Sequence, residues 1–269
     1  MDSEENKPLT DRESHELWEK LTSRIKAHEK EKRKRKVVRF ASISVAAAVL
    51  LVSSIISYKV FIMPDIYHAE NTNLKITLQD GSVVTLDKGA NLRVDKSFPS
   101  ATRDVFLEGN AVFNVSKSKI HPFIVHAKGY ETKVLGTIFK VTQRGKTFNV
   151  ELYEGKVQVT KTDKPKDVFV LRPKETFSNL GMAKVATVVA TKNQDKSQDT
   201  KTATLSFDNT NLADVVQVIE QTFGLKIKYP KELGYQKISI TKEKTTPTEV
   251  LKLISLQLDL DDKTFELEK

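Results

Sequence analysis

Leu107-Glu108-Gly109-Asn110-Ala111-Val112-Phe113-Asn114-Val115 sets the pattern for the largest part of the chain. Glycine reaches backbone conformations closed to other residues, and the apolar, β-branched and aromatic residues behind it suit a strand. The same order recurs in Gly81-Ser82-Val83-Val84-Thr85, Gly136-Thr137-Ile138-Phe139-Lys140-Val141 and Gly155-Lys156-Val157-Gln158-Val159. Asp80-Gly81 is a hairpin signal between Lys75–Leu78 and Val83–Leu86. Val150 and Leu152 alternate with Glu151 and Tyr153, as a half-buried strand requires. Residues 70–190 therefore read as an all-β, antiparallel domain whose weak repeat predicts a solenoid-like or barrel-like stack.

Towards the C-terminus the composition changes. Residues 191–203 (TKNQDKSQDTKTA) hold almost no apolar side chain and read as a linker. Beyond it, Leu205–Asp208 is a strand. Leu212, Val215, Val216, Ile219 and Phe223 form a helical stripe, with Asn211 at the N-cap and Gly224 at the C-cap. Leu225–Tyr229 and Lys237–Thr241 are strands. Thr246-Pro247-Thr248-Glu249 is a capping box opening a second helix, and Thr264–Glu268 closes as a strand. The order βαβ–βαβ predicts a small α+β domain over 204–269.

Towards the N-terminus, Phe40–Tyr58 is 19 residues without charge, proline or glycine. As a helix it covers roughly 28 Å, close to the ~30 Å hydrocarbon core of a bilayer. Its apolar character on all sides disfavours a core helix. The long preceding segment and the lack of a small-x-small site disfavour a cleaved leader. Residues 37–63 thus read as a transmembrane helix. Lys32, Arg33, Lys34, Arg35, Lys36 and Arg39 abut it and place the N-terminus in the cytoplasm, with residues 64–269 exported. The net charge of +9 does not point to nucleic acid. Residues 1–39 hold 12 Lys/Arg against 9 Asp/Glu, and the only dense basic run is this topological one.

The tail, residues 1–36, reads as one amphipathic helix over 11–29. Leu17, Trp18, Leu21 and Ile25 make a single apolar stripe, with acids early and bases late along the helix dipole. The stripe suits either a protein partner or the inner leaflet.

Catalytic and metal signatures are absent from the sequence. There is no cysteine, phosphate loop or nucleophile elbow. His121 and His126 fall on opposite faces of a strand and do not suit a metal. No enzyme turnover and no cofactor are expected. Gly136-Thr137 stands apart, because a hydroxyl following a glycine carbonyl can attack it.

Four blocks carry a resemblance. Leu107–Val115, Pro122-Phe123-Ile124-Val125-His126-Ala127, Val134-Leu135-Gly136-Thr137-Ile138-Phe139-Lys140-Val141 and Glu151-Leu152-Tyr153-Glu154-Gly155-Lys156-Val157 resemble the FecR family of transmembrane anti-sigma regulators. Leu205-Ser206-Phe207-Asp208-Asn209-Thr210-Asn211-Leu212 and the paired helices are similar to the C-terminal domain of Bacteroidetes-type members, which is itself like the short domain of secretins and TonB-linked receptors. The resemblance implies a cytoplasmic tail that binds an extracytoplasmic-function sigma factor. It also implies an exported portion that senses the signalling domain of a TonB-dependent outer-membrane transporter. Some members self-cleave at the Gly-Thr of the Leu-Gly-Thr block, here Gly136-Thr137. Many relatives have a longer tail than the 36 residues here. The alternative is a membrane-anchored periplasmic binding or scaffold protein without sigma contact.

Overall fold

A single helix, α1, runs from Asp11 to Phe61 without a break. The structure is a computed structural model describing residues 11–191, 202–261 and 263–268; inside α1 the side chains of residues 13, 27, 35–39, 41–43 and 46 lie outside the description. The tail helix and the apolar segment, read separately from the sequence, are one rod of 51 residues, about 75 Å long. Val49, Leu50, Leu51, Val52, Ile55 and Ile56 are all exposed on it. Among the described residues, no helix is long and apolar enough to cross a membrane; the span read from sequence includes Ala41, Ser42, Ile43 and Ala46, which lie outside the described side chains.

The chain divides after Met63, and Pro64–Lys269 forms a second unit. Its first strands are β1 (Asp65–His68), β2 (Leu74–Thr77), β3 (Val83–Leu86), β4 (Asn91–Val94), β5 (Arg103–Glu108), β6 (Ala111–Asn114) and β7 (Phe123–Ala127). Then come β8 (Tyr130–Val134), β9 (Ile138–Arg144), β10 (Thr147–Glu154), β11 (Val157–Lys161), β12 (Lys164–Leu171), β13 (Glu175–Ser178) and β14 (Val185–Ala190). The C-terminal elements are β15 (Ala203–Asn211), α2 (Leu212–Phe223), β16 (Lys226–Lys228), β17 (Lys237–Thr245), α3 (Pro247–Leu258) and β18 (Glu266–Glu268).

Two sheets face each other. One has the order β1-β4-β5-β7-β8-β11-β12 and the other β17-β15-β14-β13-β10-β9-β6-β3-β2. All pairs are antiparallel except β5 with β7. Their inner faces share one core. Phe113 of β6 stacks on Phe139 of β9 at 5.0 Å and meets Phe123 of the opposite sheet at 6.1 Å. Tyr130 and Phe148 stack across the sandwich at 4.6 Å.

The barrel expectation is corrected by this arrangement. Neither sheet closes, and β1, β12, β17 and β2 remain edges. The glycine rhythm has another cause. Gly109, Gly136 and Gly155 each lie where the chain leaves one sheet for the other, between β5 and β6, β8 and β9, and β10 and β11. Each has a positive φ, which the sharp corner demands. Only Gly81 sits in the hairpin read from sequence, where β2 pairs β3 with Leu74 opposite Leu86.

The nine-stranded sheet does not stop at the polar 191–203 segment, of which residues 192–201 lie outside the described residues. β14 pairs β15, Val185 opposite Phe207, and β15 pairs β17. A second core forms beyond this seam, where α2 and α3 pack Leu212, Val216, Ile219, Val250 and Ile254 against Leu205, Phe207 and Ile238. The expected βαβ–βαβ order is present, and β16 pairs β18 separately. Gly224 ends α2 in the left-handed conformation. Asn211 occupies the N-cap position without a side-chain cap bond, because its Oδ1 accepts from Lys237 Nζ at 2.6 Å.

Candidate functional site

The Gly136-Thr137 peptide lies at the corner between β8 and β9. The segment after β6 flanks it on both sides: Val115 N–H donates to the Thr137 carbonyl at 2.9 Å and Ser118 N–H to the Leu135 carbonyl at 2.8 Å. Gly136 has φ +144°, and a Cβ there would stand 2.7 Å from Lys117 Cα. The next corner closes the other side. A Cβ on Gly155 would stand 2.6 Å from Thr137 Cγ2 and 3.1 Å from the Gly136 carbonyl oxygen. Three sheet-to-sheet crossovers thus stack on one another; Gly136 is closed off by the Lys117 backbone and side chain, and Gly155 chiefly by the Thr137 side chain.

Thr137 is 4% exposed, and its hydroxyl has no hydrogen-bond partner among the described residues. A buried hydroxyl normally finds one, so an orphan calls for an explanation. It stands directly after the Gly136 carbonyl, on the other side of the same peptide bond. The backbone there is one that only glycine adopts readily.

A second buried group stands behind this corner. Arg103 and Asp80, with side chains 3% and 6% exposed, pair at 2.7 Å. Asp80 also accepts from Ser82 N at 2.9 Å and Ser82 Oγ at 2.6 Å. Sequence reading missed Arg103, although the signal was present. Period two puts it on the same face of β5 as Val105 and Leu107, which are core residues.

The remaining sequence candidates lie elsewhere. Leu17, Trp18, Leu21 and Ile25 are all exposed on α1, Trp18 by 66%. Positions 17, 21 and 25 are one helical turn apart and form a continuous stripe with Trp18 at its side. Lys32, Arg33 and Lys34 are exposed on the same helix, whereas the side chains of Arg35, Lys36 and Arg39 lie outside the description. His121 is in the connection before β7. His126 lies on β7, stacked on Phe106 at 4.7 Å with Nε2 2.7 Å from Asp104 Oδ1. The two histidines are not brought together.

The family comparisons fall on these same elements. The model described as FecR protein matches residues 65–158, which contain the corner and Arg103. The model described as FecR, C-terminal matches residues 204–264. The chain belongs to the FecR family. Two solved structures of candidate anti-sigma factors from Parabacteroides distasonis ATCC 8503 resemble this FecR chain at 24% identity. The matches cover 77% and 76% of this chain and 99% of each of theirs, with TM-scores of 0.45 and 0.44. No curated protein matches.

Proposed function

We propose that the chain is a single-pass inner-membrane anti-sigma factor with a cytoplasmic N-terminus. It relays a signal from the signalling domain of a TonB-dependent outer-membrane transporter to an extracytoplasmic-function sigma factor. FecR membership carries the reading. The exposed Leu17, Trp18, Leu21 and Ile25 stripe supports it, since an exposed tryptophan with aliphatic neighbours costs hydration until a partner covers it. The basic run and the charge-free Phe40–Tyr58 segment support the topology. Deleting the gene tests the role. Transcription of one sigma factor's targets, transporter genes among them, should change, whereas an unchanged transcriptome would return the scaffold alternative.

The same reading includes self-cleavage at Gly136-Thr137. Thr137 Oγ adds to the Gly136 carbonyl carbon and its proton passes to the Thr137 nitrogen. The C–N bond breaks, leaving an ester and a free α-amine, and water hydrolyses the ester to the Gly136 carboxylate and the Thr137 hydroxyl. The orphan hydroxyl and the glycine-only backbone support it. An immunoblot with tags at both ends should give two fragments that become one in Thr137→Ala. A single full-length band in wild type would exclude the cleavage.

A further inference from the structure

Arg103 is a buried cation whose side chain hydrogen-bonds to the β2–β3 turn and to the β6–β7 connection. Its Nη1 donates to Asp80 Oδ2 at 2.7 Å and to the Ser116 carbonyl at 2.9 Å. Its Nε donates to the His121 carbonyl at 2.9 Å, and the guanidinium lies 5.4 Å from the Phe123 ring centroid. One side chain therefore holds both ends of the β6–β7 connection. Ser82 Oγ, itself bonded to Asp80, accepts from Ser116 N at 3.0 Å and fixes the same residue from its other side.

The segment held in this way, Val115–Ser118, is the one that hydrogen-bonds on either side of the Gly136-Thr137 peptide and lies under Gly136 with no room for a Cβ. A buried ion pair is a poor source of stability, because desolvation offsets most of the attraction, so its presence asks for a role in geometry. Arginine suits that role. Its planar fork addresses several acceptors in fixed directions, which a lysine ammonium cannot do.

We infer that Asp80, Arg103 and the Ser116 backbone form a clamp that presses Val115–Ser118 against the Gly136-Thr137 bond, with Arg103 as its positioning residue. The inference about cleavage rate rests on the self-cleavage reading above; the clamp itself does not. The clamp fixes the carbonyl and the Thr137 hydroxyl relative to each other and so sets the rate at which the bond rearranges.

The test uses the full chain in detergent micelles, as wild type, Arg103→Lys and Asp80→Asn. Two measurements run on each: backbone hydrogen exchange over residues 115–118 and 135–137, and the fraction cut at Gly136-Thr137 over time. The variants should exchange roughly tenfold faster in those segments, while the β13–β14 region stays unchanged. Cutting should slow by a similar factor. Where wild type is never cut, the self-cleavage reading fails and exchange alone decides the clamp. Unchanged exchange at 115–118 in a folded variant overturns the proposal. So does accelerated exchange with unaltered cutting, as far as the rate is concerned. Should Arg103→Lys not fold, Asp80→Asn decides, since it keeps the side-chain volume and both carbonyl bonds of Arg103.

Discussion

A methyl group added at Gly136 would need to sit 2.6 Å from Lys117 Cγ and 2.7 Å from its Cα, in a backbone conformation at φ +144°. At Gly145, φ +53°, the same methyl meets open space. Gly136→Ala should therefore lower stability by about 3 kcal/mol, and Gly145→Ala by about 1 kcal/mol. Urea midpoints followed by far-ultraviolet dichroism would separate the two. Equal shifts would show that the corner is not packed backbone to backbone. At this scale the sequence shows that these glycines precede strands, because that is a local property. It does not show what they touch: Lys117 meets Gly136 and Thr137 meets Gly155 through contacts that exist only once the sheets have formed. Arg103 was legible by period and was overlooked because a charge at a strand start ordinarily faces water.

Helix α3 begins where Thr246 and Glu249 bond reciprocally, Thr246 N–H to Glu249 Oε2 at 3.0 Å and Glu249 N–H to Thr246 Oγ1 at 3.3 Å. The bond from the Thr246 backbone N–H holds the Glu249 carboxyl below its usual range. Thr246→Ala should cost about 1 kcal/mol, read as a lower thermal midpoint of the Pro64–Lys269 unit. No change would mean that Pro247 and packing alone start the helix. This element was fully legible, since all its signals lie within four residues. The seam between β14 and β15 was not. The polar 191–203 segment reads as a boundary by composition, but pairing across it is decided by register and by the second core. The continuity of α1 was also hidden. A basic run beside an apolar run carries no helix breaker, so one rod passes through both.

The two halves of the Pro64–Lys269 unit are tied by more than the shared sheet. Lys164 of β12 pairs with Asp208 of β15, both side chains partly exposed. Their hydrogen bond holds the Asp208 carboxyl below its ordinary value and raises the Lys164 ammonium above its own. A lowered carboxylate contributes stability above its unfolded pKa and loses it as pH falls through the folded value, so this part fades below about pH 4. A raised amine contributes below its unfolded pKa and loses it as pH rises through the folded value, beyond about pH 10. Asp208→Asn should flatten both limbs of the curve of thermal midpoint against pH. Superimposable limbs would show that the pair is not coupled to folding. At the scale of the whole molecule, the proposed function requires α1 to carry the contact with a sigma factor in its exposed apolar stripe. The direct measurement is a two-hybrid assay of the full chain against each sigma factor encoded in the same genome, followed by affinity for the positive pair. One extracytoplasmic-function sigma factor should bind, roughly 30-fold more weakly to Trp18→Ala, the cost of a tryptophan anchor. Binding of no sigma factor, or equal affinity with Trp18→Ala, would contradict it.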